Sequence, residues 1–232
     1  VAGLKHLREL HLVNVGLSAI EGLENLSELE TLDLAGNDIK NMKGVEKQFA
    51  LQSLILYRND IKTIEGLGGL TNLRHLDLNN NRIKVLGGLD ALPSLEKLYV
   101  GANKIKKIEG LCGLEKLEVL ALHDNKIVEM ENLACLGALE ELFLSKNGIK
   151  VIGGLDGLQN LRQLHLDMNK IRKVEGLEGL GSLQGVDLSG NKVEEASQAL
   201  DVLASESGSL TSVVLHHNPL SKTEKKALLQ IS

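Results

Sequence analysis

The side chains that could do chemistry in this chain come at a fixed interval rather than in clusters. Asp33, Ile55, Asp77, Tyr99, Ala121, Phe143, His165 and Asp187 follow one another every 22 residues, and Tyr57, Asn79, Gly101, His123, Ser145 and Asp167 run two residues behind them. Paired carboxylates are the first chemistry to weigh. Asp33 and Asp77 stand two periods apart, which on neighbouring strands means a gap of about 10 Å, wide for a general acid–base pair. They would also be displayed on an open surface with no pocket to shift their pKa values. His75, His123, His165, His216 and His217 are potential metal ligands. They come from separate repeats, so three converging ligands are not expected and no metal is assigned. No glycine-rich phosphate loop, nucleophile elbow or Cys/His catalytic pairing is present. The chain reads as a non-enzyme without a cofactor.

The interval itself says what positions these side chains. Asn37, Asn59, Asn81, Asn103, Asn125, Asn147, Asn169 and Asn191 keep the same 22-residue spacing, and each closes the phrase Leu-x-x-Leu-x-Leu-x-x-Asn-x-Ile. A fixed period of this length marks a stack of identical coils, each touching only its neighbours. Leu-x-x-Leu-x-Leu is a short strand that sends leucines to one side and variable residues to the other. The asparagine falls where the chain must turn, and its carboxamide can donate to and accept from backbone groups that have left the ladder. Stacked, these side chains would form a buried polar ladder. The return segment, Ile-x-x-Ile-Glu-Gly-Leu-x-x-Leu, carries a glycine suited to a tight turn. Twenty-two residues are too few for a strand plus a full helix, so short 3₁₀ turns are expected outside. The fold class is α/β: a right-handed horseshoe solenoid with a curved parallel sheet on its concave face and mostly 3₁₀ turns on its convex face.

Strand phrases begin at Leu7, Leu29, Leu51, Leu73, Leu95, Leu117, Leu139, Leu161, Leu183 and Leu210, the last delayed by an insertion within Glu194–Ser209 that suits a helical turn or two. Residues 1–220 are therefore assigned to an array of about ten repeats and 221–232 to a short C-terminal capping helix. Ser221-Lys222-Thr223-Glu224 has capping-box spacing, and Leu228, Leu229 and Ile231 would cover the last coil. The first repeat has Val15 in place of the asparagine, and Val1 and Leu4 match the tail of a preceding repeat, so both ends read as cut. Leucine supplies 49 of the 232 residues and there is no tryptophan, so the core must be aliphatic. The net charge of −5 opposes a nucleic-acid role, and no apolar run is long enough for a membrane span. With only Cys112 and Cys135, and no cysteine-rich caps, two free thiols and a reducing compartment, cytoplasmic or nuclear, are expected.

In such an array the leucines and asparagines maintain the coil, and function must lie in the variable strand positions. Three of the four aromatics, Tyr57, Tyr99 and Phe143, fall there, flanked by acids. Rings on an exposed scaffold face have the character of interface hot spots. Tyr99 and Phe143, with the small Ala121 between them, should present two rings about 10 Å apart between which a partner could insert an apolar group. The partner-binding set is Asp33, Tyr57, Asp77, Tyr99, Phe143 and His165, and the expected partner is a protein held on the concave face of a monomer. A second charged feature is the loop after each asparagine, which gathers half of the 26 basic residues along one edge. This edge is either a solvated flank with local ion pairs or a surface for an acidic or phosphate-rich partner.

The phrase Asn59-Asp60-Ile61-Lys62-Thr63-Ile64-Glu65-Gly66-Leu67 resembles the 22-residue subclass of leucine-rich repeats. That subclass includes the regulatory subunit of type-1 protein phosphatase, axonemal dynein light chains and tubulin-folding cofactors. The stretch Leu142–Leu155 and the long final repeat ending Asn218-Pro219-Leu220 are most similar to the phosphatase regulator. The resemblance implies a partner held by acids and aromatics at the strand centres. Asp33 and Asp77 keep an acid and Tyr99 an aromatic. Ile55 stands where an aromatic is expected and His165 where an acid is. Gly185 and Asp187 replace a Glu-x-Trp pair, and Val214 a tyrosine. The resemblance thus implies a phosphatase regulator or a divergent relative, with a cytoskeletal adaptor using the basic edge as the alternative.

Overall fold

The structure, a computed structural model, describes residues 4–197, 200–201 and 208–228. Ten strands of three residues each form one sheet: β1 (Glu9–His11), β2 (Thr31–Asp33), β3 (Ser53–Ile55), β4 (His75–Asp77), β5 (Lys97–Tyr99), β6 (Val119–Ala121), β7 (Glu141–Phe143), β8 (Gln163–His165), β9 (Gly185–Asp187) and β10 (Ser212–Val214). They lie in sequence order and every neighbouring pair is parallel. The register places equivalent residues side by side, Leu76 against Leu98 and Leu98 against Leu120. Because side chains alternate along a strand, the middle residue of each strand and its following leucine enter a continuous aliphatic core, most of it fully buried. The expected solenoid is the fold observed.

The strands are short because the backbone leaves the ladder soon after the last leucine. Leu78 and Asn80 still donate to Tyr99 and Gly101 of the next coil, at 2.7 and 2.9 Å. The residue before each ladder asparagine is then left-handed, with φ between 51° and 69° at Gly36, Arg58, Ala102, Lys146, Met168 and their equivalents. That reversal turns the asparagine inward. Asn59 donates its amide to Leu34 O of the preceding coil (2.9 Å) and to Leu56 O of its own (3.1 Å), while its Oδ1 accepts from Ile39 N (3.0 Å). The same three bonds recur at Asn81, Asn103, Asn169 and Asn191, and Asn218 extends the ladder into the last coil by accepting from Val193 N.

The outer face is built of single turns closed by the i→i+3 bond of 3₁₀ geometry: Leu70 donates to Leu67 O and Leu73 to Leu70 O, at 2.9 and 3.0 Å. Before these turns the chain approaches the preceding coil closely. Gly154 has φ 64°, and a Cβ there would stand 2.6 Å from Met130 O. In the one coil where asparagine replaces this glycine, Asn132 adopts φ 57° and donates its own side-chain amide to Ile108 O at 2.8 Å.

Two expectations need correction. Cys112 and Cys135 are not free thiols; they are joined as a disulfide across adjacent outer turns, with Cα atoms 5.2 Å apart. Their 23-residue separation misses the period by one, but stacked coils bring even off-register neighbours within disulfide reach. A disulfide belongs to oxidising surroundings, so the inference of a reducing compartment from cysteine number loses its footing. The capping box is also only half formed. Ser221 Oγ accepts from Glu224 N at 3.0 Å, capping the helix Lys222–Leu228. The Glu224 carboxylate, however, reaches across to Ala196 N at 2.5 Å, to Ser197 N and to Ser197 Oγ at 3.1 Å. It caps the helical turn in the insertion, where Leu200 N bonds Ala196 O at 3.0 Å. Val1, Leu229, Ile231 and the Leu228 side chain lie outside the described residues.

Candidate functional site: the exposed strand face

A parallel sheet is usually covered on both faces. Here one face carries the core, and the other presents the variable residues: the first residue of each strand, among them His75 and Val119, and two further rows. The third residues of the strands form the first row, in direct register from His11 to Val214. Asp33, Asp77, Tyr99, Phe143 and His165 all lie in it, half-buried. Tyr57 belongs to the second row and is 40% exposed. The set read from the sequence is therefore one surface.

Within the row, the rings turn away from each other. Tyr99 meets the edge of His75, with centroids 5.4 Å apart and planes at 69°. Phe143 stacks on His165 at 4.5 Å and 10°. Ala121 between them is 2% exposed and Val119 is buried too, so the gap over the alanine, expected as an insertion point, is closed. The row is divided into two clusters. In the first, burial lowers the His75 pKa and raises those of Asp77 and Tyr99. The His123 imidazole lies over Gly101, in space that any side chain at 101 would fill.

The acids also have a structural duty. Asp33, Asp77 and Asp187 each use Oδ1 to accept the amide two residues on, from Ala35, Asn79 and Ser189, at 3.0, 2.8 and 2.9 Å. Those amides have left the ladder, and the aspartates satisfy them as Asx turns do. In the second cluster His165, Asp167 and Asp187 bring their ligand atoms within 4.8 Å of one another. His165 and Asp167 come from one coil and Asp187 from the next, where in-register stacking makes residues 22 apart neighbours. The register could have been used to find them.

Part of the expected basic edge is gathered in one place. Lys84, Lys104, Lys106, Lys107 and Lys126 line an open depression with Val85 and Glu109. Arg82 pairs with Asp60 at 2.7 Å. The other ion pairs among the described residues lie mainly on or before the strands, as in Arg74–Glu96 at 2.6 Å and Arg162–Glu140 at 3.3 Å.

The model of the family described as leucine-rich repeats (2 copies) matches residues 50–91, 71–113 and 138–179, and a second leucine-rich repeat model matches 93–149. A leucine-rich repeat protein of Leptospira interrogans is 27% identical with a TM-score of 0.90, over 98% of this chain and 59% of that one. Internalin C2 of Listeria monocytogenes is 32% identical with a TM-score of 0.73, over 78% of this chain and 80% of its own. The plant peptide hormone receptor RGFR1, in complex with RGF2, is 26% identical with a TM-score of 0.74, over 94% of this chain and 37% of the receptor. No curated protein matches the chain significantly. The chain belongs to the leucine-rich repeat family, and it spans only 59% of the Leptospira protein's length.

Proposed function

We propose that the chain is a non-catalytic scaffold that takes a protein or peptide partner on the exposed strand face, between Asp33 and His165. The observation that carries this is the first row: rings and acids in direct register on a sheet surface that the fold does not cover. An aromatic there has no core to fill, and burial of half-exposed rings by a partner is the usual source of hot-spot energy. The plant receptor seen in complex with RGF2 supports a peptide as one form of partner. For a named partner class, the resemblance favours a type-1 phosphatase catalytic subunit, with Asp33, Asp77 and Tyr99 supplying acid, acid and aromatic. The departures at Ile55, Gly185, Asp187 and Val214 make it a divergent regulator, lacking the C-terminal aromatic anchors.

The test is calorimetric titration with the purified phosphatase catalytic subunit, and with partners captured by the full-length protein. Replacing Tyr99 and Phe143 by alanine should each weaken binding by about 30-fold or more if the rings are anchors. A double variant that still folds and binds normally sinks the strand-face reading. An acidic or phosphate-rich partner on the basic edge is the second reading, favoured by the five lysines around one depression. Edge binding should weaken steeply as salt rises, whereas a ring-anchored interface should change little.

A further inference from the structure

We propose that His165, Asp167 and Asp187 form a zinc site on the C-terminal half of the strand face. Strand register places His165 directly against Asp187 across β8 and β9. Asp167 follows His165 by two residues, on the same side of the sheet. Their ligand atoms lie within 4.8 Å of one another, so small side-chain rotations bring all three onto one ion.

Each ligand is already oriented by a neighbour. The Asp167 Oδ1 accepts from the Ser145 hydroxyl, and the Asp187 Oδ1 accepts from Ser189 N at 2.9 Å. Either carboxylate therefore keeps its second oxygen for a metal. The His165 ring lies flat on Phe143 at 4.5 Å, which sets the plane of its nitrogens. Such partners of the ligands do much to fix a metal site. The remaining acids of the row differ in what faces them. Asp33 has the imidazole of His11 at 3.6 Å, and Asp77 has the imidazoles of His75 and His123 in its neighbourhood. Asp167 and Asp187 make no ion pair with lysine or arginine among the described residues. Two carboxylates share one imidazole, which leaves a local excess of negative charge for a cation to balance.

The donor chemistry selects the ion. One imidazole nitrogen and two carboxylate oxygens suit zinc, whereas calcium asks for six to eight oxygens and magnesium for an octahedral, mostly oxygen shell. Three protein ligands leave a fourth tetrahedral position open. It faces the surface on which the proposed partner would sit, and only that placement rests on the strand-face reading. A carboxylate or imidazole of the partner could complete the shell.

The experiment uses the chain alone, freed of metal with a chelator, checked for folding by circular dichroism and titrated calorimetrically with zinc chloride. The expected result is one equivalent of zinc bound. Asp187→Asn, Asp167→Asn and His165→Gln should each weaken binding at least tenfold. Asparagine at 187 keeps an oxygen for Ser189 N, so its fold should persist. His123→Gln and His216→Gln should titrate like the parent, and the His165 ring resonances should shift on zinc addition in the parent spectrum. A parent chain that binds no zinc overturns the proposal, and so does a loss that follows His216→Gln but not Asp187→Asn. Because no partner is present, these outcomes are independent of whether the strand face binds protein.

Discussion

Replacing Asn103 by alanine isolates the energetic role of the asparagine ladder. Asn103 is 8% exposed and makes four bonds: its amide reaches Leu78 O, Val100 O and Gly101 O at 3.0, 3.1 and 3.0 Å, and its Oδ1 accepts from Ile83 N at 2.9 Å. The three carbonyls keep other partners, since Asn81 also reaches Leu78 O, Asn125 reaches Val100 O and Asn80 N reaches Gly101 O. Ile83 N has only Asn103 among the described bonds, and Ile83 is fully buried. One orphaned amide costs about 1–3 kcal/mol, and thinning the shared carbonyls adds about 1 kcal/mol. The expected loss is thus about 3 kcal/mol, or a fall in Tm of roughly 6–12 °C for a chain of this size. Lys104→Ala, one residue on and exposed, should change stability by less than about 0.5 kcal/mol. Asn103→Asp separates the two halves of the bond set. It keeps the acceptor for Ile83 N but sets a carboxylate against three carbonyl oxygens, and should cost more than alanine. Urea denaturation followed by circular dichroism measures all three. Equal small losses at 103 and 104, or an aspartate better tolerated than alanine, would refute the ladder as the organising interaction.

The Cys112–Cys135 bond closes a loop of 23 residues and should contribute about 3 kcal/mol; reduction should lower the urea midpoint, and alkylation of the unreduced protein should leave both cysteines unlabelled. Ala102 carries φ 51°, a conformation that costs a non-glycine residue about 1 kcal/mol or more, so Ala102→Gly should stabilise by roughly 0.5–1 kcal/mol in the same assay. The Glu224 pKa is lowered, first by the hydrogen bond from Ala196 N, then by those from Ser197. A folded pKa below the unfolded one gives stability that is present above the unfolded carboxylate range and is lost as pH falls through the folded value. Glu224→Gln should accordingly be less stable at neutral pH and show a shallower decline on acidification than the parent, as read by thermal melts across the acid range.

The scaffold was legible because every part of it repeats. Eight asparagines at one spacing required one backbone environment repeated, and the ladder seen at Asn59 and Asn191 is that environment. The strand rows were legible for the same reason. What does not repeat is less legible. Two cysteines and no cysteine-rich caps point to free thiols, yet the stack joins Cys112 to Cys135 despite a one-residue stagger. Glu224 matched a local capping pattern, but its carboxylate found two unpaired amides at Ala196 and Ser197, 28 and 27 residues earlier, in the one coil whose length departs from the period. The histidines come from separate repeats and so do not meet one another in sequence, whereas strand register sets His165 beside Asp187 of the next coil.

Ring orientation was the least legible feature, and it changes how the strand face would be used. A period places Tyr99 and Phe143 on the same row but says nothing of which way each leans. Tyr99 leans toward His75 and Phe143 lies on His165, because an imidazole offers a flat polar-edged surface while the Ala121 methyl between them offers little contact area. The buried alanine then works as a divider. On its N-terminal side is a cluster of Asp77, His75, Tyr99 and His123 in which burial acts against the charged forms of His75 and Asp77. On its C-terminal side is the more acidic group of His165, Asp167 and Asp187 beside Phe143. A partner bridging both would meet two chemically different subsites on one rigid sheet, the first suited to neutral hydrogen-bonding and apolar groups, the second to a cation or a metal-bound ligand. Contacts on the two sides should then respond to different perturbations, the first to loss of the Tyr99 ring and the second to loss of the Asp187 charge.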